Sequence, residues 1–362
     1  MQVKKEVPGI ITGTILERKN KPASQLSIYT IENSNGTKLV VSNLGAVVMS
    51  LFVKDKNNNF SDIVLGYDTQ EEYKADKFYL GTVVGRYANR VAGGTVMLDN
   101  TTYKLHVKEG GYHLHGGLEG FNKKIFTAHP FTNTDGTGIV FTYISPHLEE
   151  GFPGELRLEV TYLLDENDSW TVEYRARTTA TTLINLTQHT YFNLSGDLST
   201  KIDKHELKIP ASFYLPVNDQ QTPTGEIAEV KNTPFDFTAF KEIAADWHAD
   251  NHQLKLSNGY DHSFVLEKQH SPFLKHAAVV VEPVSNRKLD VYTTEPAVHF
   301  YSGNFLKNIK GKNGIIYNER SGFCLETQHF PDSPNHHHFP STVLKAGEQF
   351  YSKTIFNFSV EK

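Results

Sequence analysis

The chain has 362 residues, 36 of them basic and 41 acidic, and a single cysteine. Without a long run of one charge, a nucleic acid or a membrane surface is not expected as a partner, so we expect a small neutral ligand. The lone cysteine excludes an intramolecular disulfide and a cysteine-based metal cage. Aromatic residues make up 12% of the chain, which favours β-strands and supplies flat surfaces for sugar rings or core packing.

The N-terminal stretch has no apolar core of signal-peptide length, and no later run is long enough to span a membrane. We therefore expect a cytoplasmic protein, unless an export signal preceded this start. The mild surface charge requires no protein partner, so we expect a monomer or a weak dimer.

Short alternating segments between turns rich in Asn, Gly, Asp and Pro run along the chain, which is typical of an all-β protein. The clearest pair is a long antiparallel hairpin of residues 156–164 and 170–176, with one solvated face. Helices are expected only at 69–75 and 238–246. Further strands are predicted at 26–31, 38–41, 46–53, 95–98, 103–107, 139–145, 279–282, 288–293, 297–301 and 354–360.

No linker, composition shift or fixed-period repeat divides the sequence. We expect one domain over residues 1–362. Two large packed antiparallel sheets accommodate so many strands best, because they bury one face of each strand and leave few exposed edges.

Segment 183–196 places His189 in an alternating strand pattern, on one face with Thr187, Tyr191 and Asn193. A histidine can change its charge near neutral pH, which suits general acid–base chemistry. A buried histidine that is satisfied by neighbouring hydroxyl groups fits the same pattern.

Glu326 lies between Phe323, Cys324 and Leu325 on one side and Phe330 on the other. An ionised carboxylate is costly in such apolar surroundings unless it has a partner or a function. A glutamate and a histidine held across one pocket would form a base and an acid for moving protons on a sugar or a carbonyl compound.

Two other chemistries could use similar residues. His113 and His115 could begin a metal site with the histidines at 336–338, although no third and fourth ligand has a recognisable spacing. Asp261 and Glu326 could be the two carboxylates of a glycosidase. Taken singly, Arg90, His115 and Asp261 could also be a surface arginine and two turn residues.

The sequence resembles the aldose 1-epimerase family, the galactose mutarotases, nearly from end to end. The matching motifs occur in the family's order and include GRYANRV at 85–91, LHGG at 114–117, NLTQHTYFNL at 185–194, GYDH at 259–262, YSGNF at 301–305 and LETQHFPDSPN at 325–335. The resemblance implies a large antiparallel β-sandwich, the galactose mutarotase-like supersandwich. It also implies a cofactor-free interconversion of the α and β anomers of a free hexose such as galactose or glucose.

By this resemblance Glu326 is the base that takes the proton from the C1 hydroxyl, and His189 is the acid that protonates the ring oxygen. Glu326 would then be ionised and His189 protonated, and no metal or other cofactor is expected. The resemblance further implies that His115 binds near C1 and the ring oxygen, and that Asn89, Arg90 and Asp261 hold sugar hydroxyls.

The sequence departs from its relatives at three places. Glu295 replaces a frequent glutamine, so we expect a substrate-binding position with altered sugar preference. Phe126 replaces a tryptophan in a packing position, and the three histidines at 336–338 form a loop.

An epimerase for phosphorylated hexoses would need more basic pocket residues than Arg90, and a sugar-binding domain without catalysis would have lost His189 or Glu326.

Overall fold

The computed structural model describes residues 14–17, 25–107, 110–266 and 272–361. Residues 1–13 lie outside the described residues, and the expectation of a cytoplasmic protein rests mainly on them. Among the described residues no helix is long and apolar enough to cross a membrane.

Antiparallel sheets dominate the described chain, as predicted. The largest sheet has nine strands, in the spatial order Thr127–Asn133, Gly136–Ser145, Leu156–Leu164, Ser169–Thr178, Gln349–Val360, Arg287–Thr293, Lys275–Val281, Glu206–Lys208 and Lys241–Glu242. One five-stranded sheet is formed by Thr14–Glu17, Ile28–Glu32, Lys38–Ser42, Val48–Lys54 and Phe60–Asp62. Another consists of Ala228–Glu229, Phe213–Tyr214, Asp261–Val265, Ala297–Tyr301 and Cys324–Gln328.

Five two-stranded ribbons and a few short helices complete the described fold. The ribbons pair Arg90–Ala92 with Tyr112–Leu114, Thr82–Val84 with Thr187–His189, Thr95–Leu98 with Thr101–Lys104, Thr182–Leu183 with Val343–Leu344, and Ile309–Lys310 with Ile316–Tyr317. The α-helices are Gln70–Ala75 and His252–Ser257, and the 3-10 helices are Phe121–Lys123, Glu149–Gly151, Lys312–Gly314 and Ser333–Asn335.

The predicted long hairpin is confirmed. Leu156–Leu164 pairs antiparallel with Ser169–Thr178, and Val160 lies opposite Tyr174. Alternate residues from Leu156 to Leu164 are buried while those between them are more exposed, so this sheet has one dry and one wet face.

The largest cluster of buried apolar side chains joins the nine-stranded sheet to both five-stranded sheets. Its members extend along the chain from Tyr29 to Phe358 and include Trp170, which stacks on Phe356 with ring centroids 4.9 Å apart. Burial of this shared core is the main favourable contribution to folding.

The helix predictions gave one correct and one wrong result. Gln70–Ala75 forms as expected, with Thr69 and Glu72 in a capping box. The helix expected at 238–246 is absent, because Lys241–Glu242 instead pairs with the strand Glu206–Lys208. A hydrogen bond from Lys241 Nζ to Pro234 O, 2.7 Å long, also holds this segment in its extended and turn conformation.

The segment around His189 is less regular than predicted. Within 183–196, the named strands cover only Leu183, the end of Thr182–Leu183, and Thr187–His189. Nearly every side chain of this segment is buried, on both faces of the predicted alternation. Tertiary packing therefore fixes where these side chains point.

Candidate active site

Three neighbouring strands form one wall of a cavity of about 240 Å³. In the register of this sheet Ser263 lies opposite His299, and His299 lies opposite Glu326. Side chains two residues apart on a strand share a face, so Asp261 and Tyr301 belong to the same wall. The cavity is lined by Lys77, Phe78, Tyr79, Asn89, Arg90, Leu114, His115, His189, Tyr191, Asp261, His299, Tyr301, Phe305 and Glu326.

His189 approaches this wall from the ribbon with Thr82–Val84. Its Nε2 lies 3.6 Å from Glu326 Oε1, and its Nδ1 lies 3.5 Å from Cys324 Sγ. Four aromatic rings surround the imidazole, with ring centroids between 5.1 and 6.5 Å from it, and they belong to Tyr79, His115, Tyr191 and Tyr301. Burial among them lowers the pKa of His189 to about 4.

Glu326 is almost completely buried, with 1% of its surface exposed. Burial, and then the negative charge of Asp261, raise the pKa of its carboxyl group well above the usual value. Burial thus favours a protonated Glu326 and a neutral His189. This differs from the ionised pair expected from the sequence, because both groups lose hydration when they are buried.

Asp261 has the opposite electrostatic environment. Its Oδ1 accepts a 2.7 Å hydrogen bond from His299 Nε2, and its Oδ2 lies 3.7 Å from Arg90 Nη2. Burial alone would raise the pKa of Asp261, but the His299 hydrogen bond and the positive charge of Arg90 outweigh this effect and hold the pKa well below its usual value. Asp261 is therefore a fixed negative charge near Glu326, whose carboxyl group has a raised pKa.

The turn that follows Tyr112–Leu114 places His115 against the cavity. His115 has a φ of 49° and Asn89 has a φ of 63°, and the two residues are joined by reciprocal bonds. Asn89 N–H donates to His115 Nδ1 over 3.1 Å, and His115 N–H donates to Asn89 O over 3.1 Å. A neutral His115 ring must then carry its proton on Nε2.

Glu295 does not line this cavity, in contrast to the other residues predicted from the sequence. Its side chain is fully buried, and Glu295 Oε2 lies 2.6 Å from His329 Nδ1. His329 in turn lines a separate cavity of about 430 Å³. The substrate-binding role expected for Glu295 therefore has no support in this geometry.

The metal site considered at His113 and His115 does not form among the described residues. His113 Nδ1 lies 2.8 Å from the His106 carbonyl oxygen, and its ring packs on Phe152, away from the cavity-lining His115. His336 and His338 contact the carbonyl oxygens of Pro223 and Gly225. Within the described ranges the one cluster of three or more potential ligands is His189, Cys324 and Glu326.

Comparison with known proteins gives a consistent result. A sequence model of the family described as aldose 1-epimerase matches residues 27–357. The chain belongs to the aldose 1-epimerase family. A galactose mutarotase from Sus scrofa is 44% identical over 332 residues, covering 90% of this chain and 92% of that protein. An aldose 1-epimerase from Escherichia coli K12 is 35% identical over 336 residues, covering 92% and 95%.

Solved structures of aldose 1-epimerase relatives share the fold. An aldose epimerase homologue from C. elegans superimposes with a TM-score of 0.85 at 28% identity, covering 93% of this chain and all of that one. A galactose 1-epimerase from Lactobacillus acidophilus gives a TM-score of 0.84 at 27% identity, covering 97% and 100%. The predicted all-β fold and family membership are thereby confirmed.

His299 is the main cavity residue that the sequence reasoning missed. It lies in the strand Ala297–Tyr301, where it alternates with the core residues Val298 and Phe300. A histidine on the face opposite the core is the same signal that singled out His189. Tyr301 and Phe305 also line the cavity, and the YSGNF motif at 301–305 is the sequence feature that marks them.

Proposed function

We propose that this protein is an aldose 1-epimerase that interconverts the α and β anomers of free hexoses such as D-galactose and D-glucose, without a cofactor. The observation that carries the proposal is the placement of His189 and Glu326, 3.6 Å apart, in a sugar-sized cavity. This cavity is smaller than the roughly 300–1,000 Å³ of sites for drug-sized ligands. The relatives named galactose mutarotase and aldose 1-epimerase support the same activity.

In the proposed reaction Glu326 takes the proton from the C1 hydroxyl while His189 gives a proton to the ring oxygen. The ring opens to the aldehyde, and rotation about the C1–C2 bond presents the other carbonyl face to the C5 hydroxyl. On reclosure the C5 hydroxyl returns its proton to His189, and Glu326 returns its proton to the C1 oxygen. No proton is gained or lost over the cycle.

The charge state that burial favours for Glu326 and His189 is compatible with these roles. A protonated Glu326 with a neutral His189 holds the same single proton as an ionised Glu326 with a protonated His189. Glu326 Oε2 has no hydrogen-bond partner among the described residues. A sugar hydroxyl that donates to this oxygen would stabilise the carboxylate, so we expect sugar binding to move the shared proton to His189.

We propose that Asn89, Arg90, His115 and Asp261 position the sugar, with His299 as a further positioning residue. Because His299 occupies Asp261 Oδ1, the carboxylate is held still while Oδ2 can accept from a sugar hydroxyl. Arg90 supplies donors close to the same spot, 3.7 Å from that oxygen. A fixed acceptor next to a fixed donor orients a ring whose hydroxyls both donate and accept.

We also propose that residues 1–362 form one domain that works as a monomer or a weak dimer. The largest core cluster joins the three major sheets, which supports a single folding unit. The proposed acid, base and positioning residues all line one cavity of this chain.

Polarimetry of freshly dissolved α-D-galactose and α-D-glucose, in the presence of a chelator, tests the proposed activity. We expect the protein to accelerate the change in optical rotation of either sugar, in proportion to its concentration. Methyl α-D-galactoside is the control, because it has no C1 hydroxyl proton to remove. No acceleration with either free sugar, or release of galactose from the glycoside, would overturn the proposal.

A further inference from the structure

Cys324 is a buried group that the proposed reaction does not use. It is the only cysteine of the chain, and it lies two residues before Glu326 on the strand Cys324–Gln328. Because side chains alternate along a strand, the thiol and the carboxyl group point to the same side. His189 lies against both of them, with its Nδ1 3.5 Å from Cys324 Sγ and its Nε2 3.6 Å from Glu326 Oε1.

These three side chains offer a sulfur, a nitrogen and an oxygen that all lie within 4.8 Å of one another. Zn²⁺ accepts this combination of donors, with metal–ligand bonds of about 2.0–2.3 Å. In a tetrahedral site such bonds place the donor atoms roughly 3.3–3.8 Å apart. Only one His189 nitrogen can bind a given ion, so side-chain rotations that shorten the separations of up to 4.8 Å by about 1 Å would bring the three donors onto one ion.

A second observation points to a ligand at this place. Glu326 has 1% of its surface exposed, and its Oε2 has no hydrogen-bond partner among the described residues. A buried polar oxygen without a partner is costly, and a cation that displaces the Glu326 proton would satisfy it. The nearby carboxylate of Asp261 adds negative charge, while the Arg90 guanidinium lies 3.7 Å from Asp261 and partly offsets it.

We propose that His189, Cys324 and Glu326 form an inhibitory site for a thiophilic divalent cation, Zn²⁺ or Cd²⁺. Binding would release two protons to the buffer, one from the Cys324 thiol and one from the Glu326 carboxyl group, as the metal–thiolate and metal–carboxylate bonds form. The ion would occupy the carboxylate and the imidazole, so metal and sugar would exclude each other. The inhibition rests on the proposed function, whereas the binding of the ion does not.

Titration of the whole protein with Cd²⁺, followed by ultraviolet absorption, tests the binding alone. We expect one cadmium–thiolate charge-transfer band that saturates at one ion per chain and disappears when Zn²⁺ is added. Cys324→Ser should abolish the band and weaken Zn²⁺ binding about tenfold or more. A triple variant with glutamine at 336–338 is the matched control. It should keep both the cadmium–thiolate band and the Zn²⁺ affinity, because those histidines lie in a separate loop.

Mutarotation of galactose, measured with and without added Zn²⁺, tests the consequence. We expect Zn²⁺ to raise the apparent KM for galactose, a chelator to restore the rate, and Cys324→Ser to lose this sensitivity relative to its own metal-free rate. Absence of the band in folded, reduced protein, or equal Zn²⁺ affinity in Cys324→Ser, would overturn the site. A normal band in a protein without mutarotation would instead overturn the proposed function and leave the site intact.

Discussion

At the scale of single residues, the cavity contains two carboxyl groups with opposite environments. Asp261 is held ionised by His299 and Arg90, whereas burial and the charge of Asp261 raise the pKa of Glu326 despite the more distant Arg90. One group is thereby suited to holding a sugar and the other to exchanging a proton. The difference arises from what each carboxyl group touches, since both are buried to a similar degree.

His299→Leu tests the role of this contact at Asp261. The substitution removes the N–H that holds Asp261 Oδ1 at 2.7 Å, so we expect the KM for galactose to rise about tenfold, which corresponds to about 1.4 kcal/mol of binding. The turnover number should fall less, because the Glu326–His189 pair is unchanged. His299→Gln can donate from its amide and should restore part of the affinity, and an unchanged KM in His299→Leu would contradict the assigned role.

The residues that sequence reasoning predicted are those with an unusual chemical context. Glu326 stood out as a carboxylate among apolar residues, and His189 as a histidine in a strand pattern. His299 gave the same signal, but its flanking residues in the strand Ala297–Tyr301 are mostly apolar, so a single histidine there is easily taken for packing. The position of Glu295 could not be predicted, because its contact with His329 depends on the tertiary fold.

At the scale of secondary-structure elements, local patterns predicted most long strands but not all short elements. Residues 238–246 have a helix-compatible composition, yet tertiary pairing with Glu206–Lys208 prevails. The helix His252–Ser257 was not predicted, although Asn251 at its N-cap and the Asn258-Gly259 pair at its end are recognisable helix signals.

Asn251→Ala tests how much this short helix depends on its cap. The Asn251 side chain accepts hydrogen bonds from the backbone N–H groups of Gln253 and Leu254, so we expect the free energy of unfolding to fall by about 1 kcal/mol. Urea denaturation at neutral pH measures this change. Asn258→Gly is the matched control at the other end, where φ is 51°, and should not destabilise the protein. Equal stability of Asn251→Ala and the wild type would show that the cap is not needed.

At the scale of the whole molecule, the fold keeps several histidines neutral inside its core. Burial lowers the pKa of His189 and of His205 to about 4, and that of His262 to about 3. In the unfolded chain a histidine has a pKa of about 6.5. Between this pH and the lower pKa of the folded state, the unfolded chain binds more protons than the folded protein does. The stability contributed by such groups is fully present above about pH 6.5 and is lost as the pH falls towards about 4.

His205→Gln isolates one of these contributions at a distance from the cavity. His205 Nε2 accepts a 2.9 Å hydrogen bond from Leu194 N–H, and a glutamine side-chain oxygen can accept the same bond without titrating. Between about pH 7 and about pH 5 we expect the wild type to lose about 2 kcal/mol more unfolding free energy than the variant. Urea denaturation at both pH values measures the difference, and parallel losses in the two proteins would contradict a neutral buried His205.

The proposed reaction depends most directly on Glu326, which we propose exchanges the proton of the C1 hydroxyl. The most direct test is carbon-13 exchange NMR of [1-¹³C]galactose at anomeric equilibrium, with Glu326→Gln and Glu295→Gln compared as two buried carboxyl-to-amide changes. We predict that Glu326→Gln lowers the exchange rate by about a hundredfold to ten-thousandfold, while Glu295→Gln, which lies outside the cavity, stays near the wild type. Near-normal exchange in a folded Glu326→Gln protein would contradict the account.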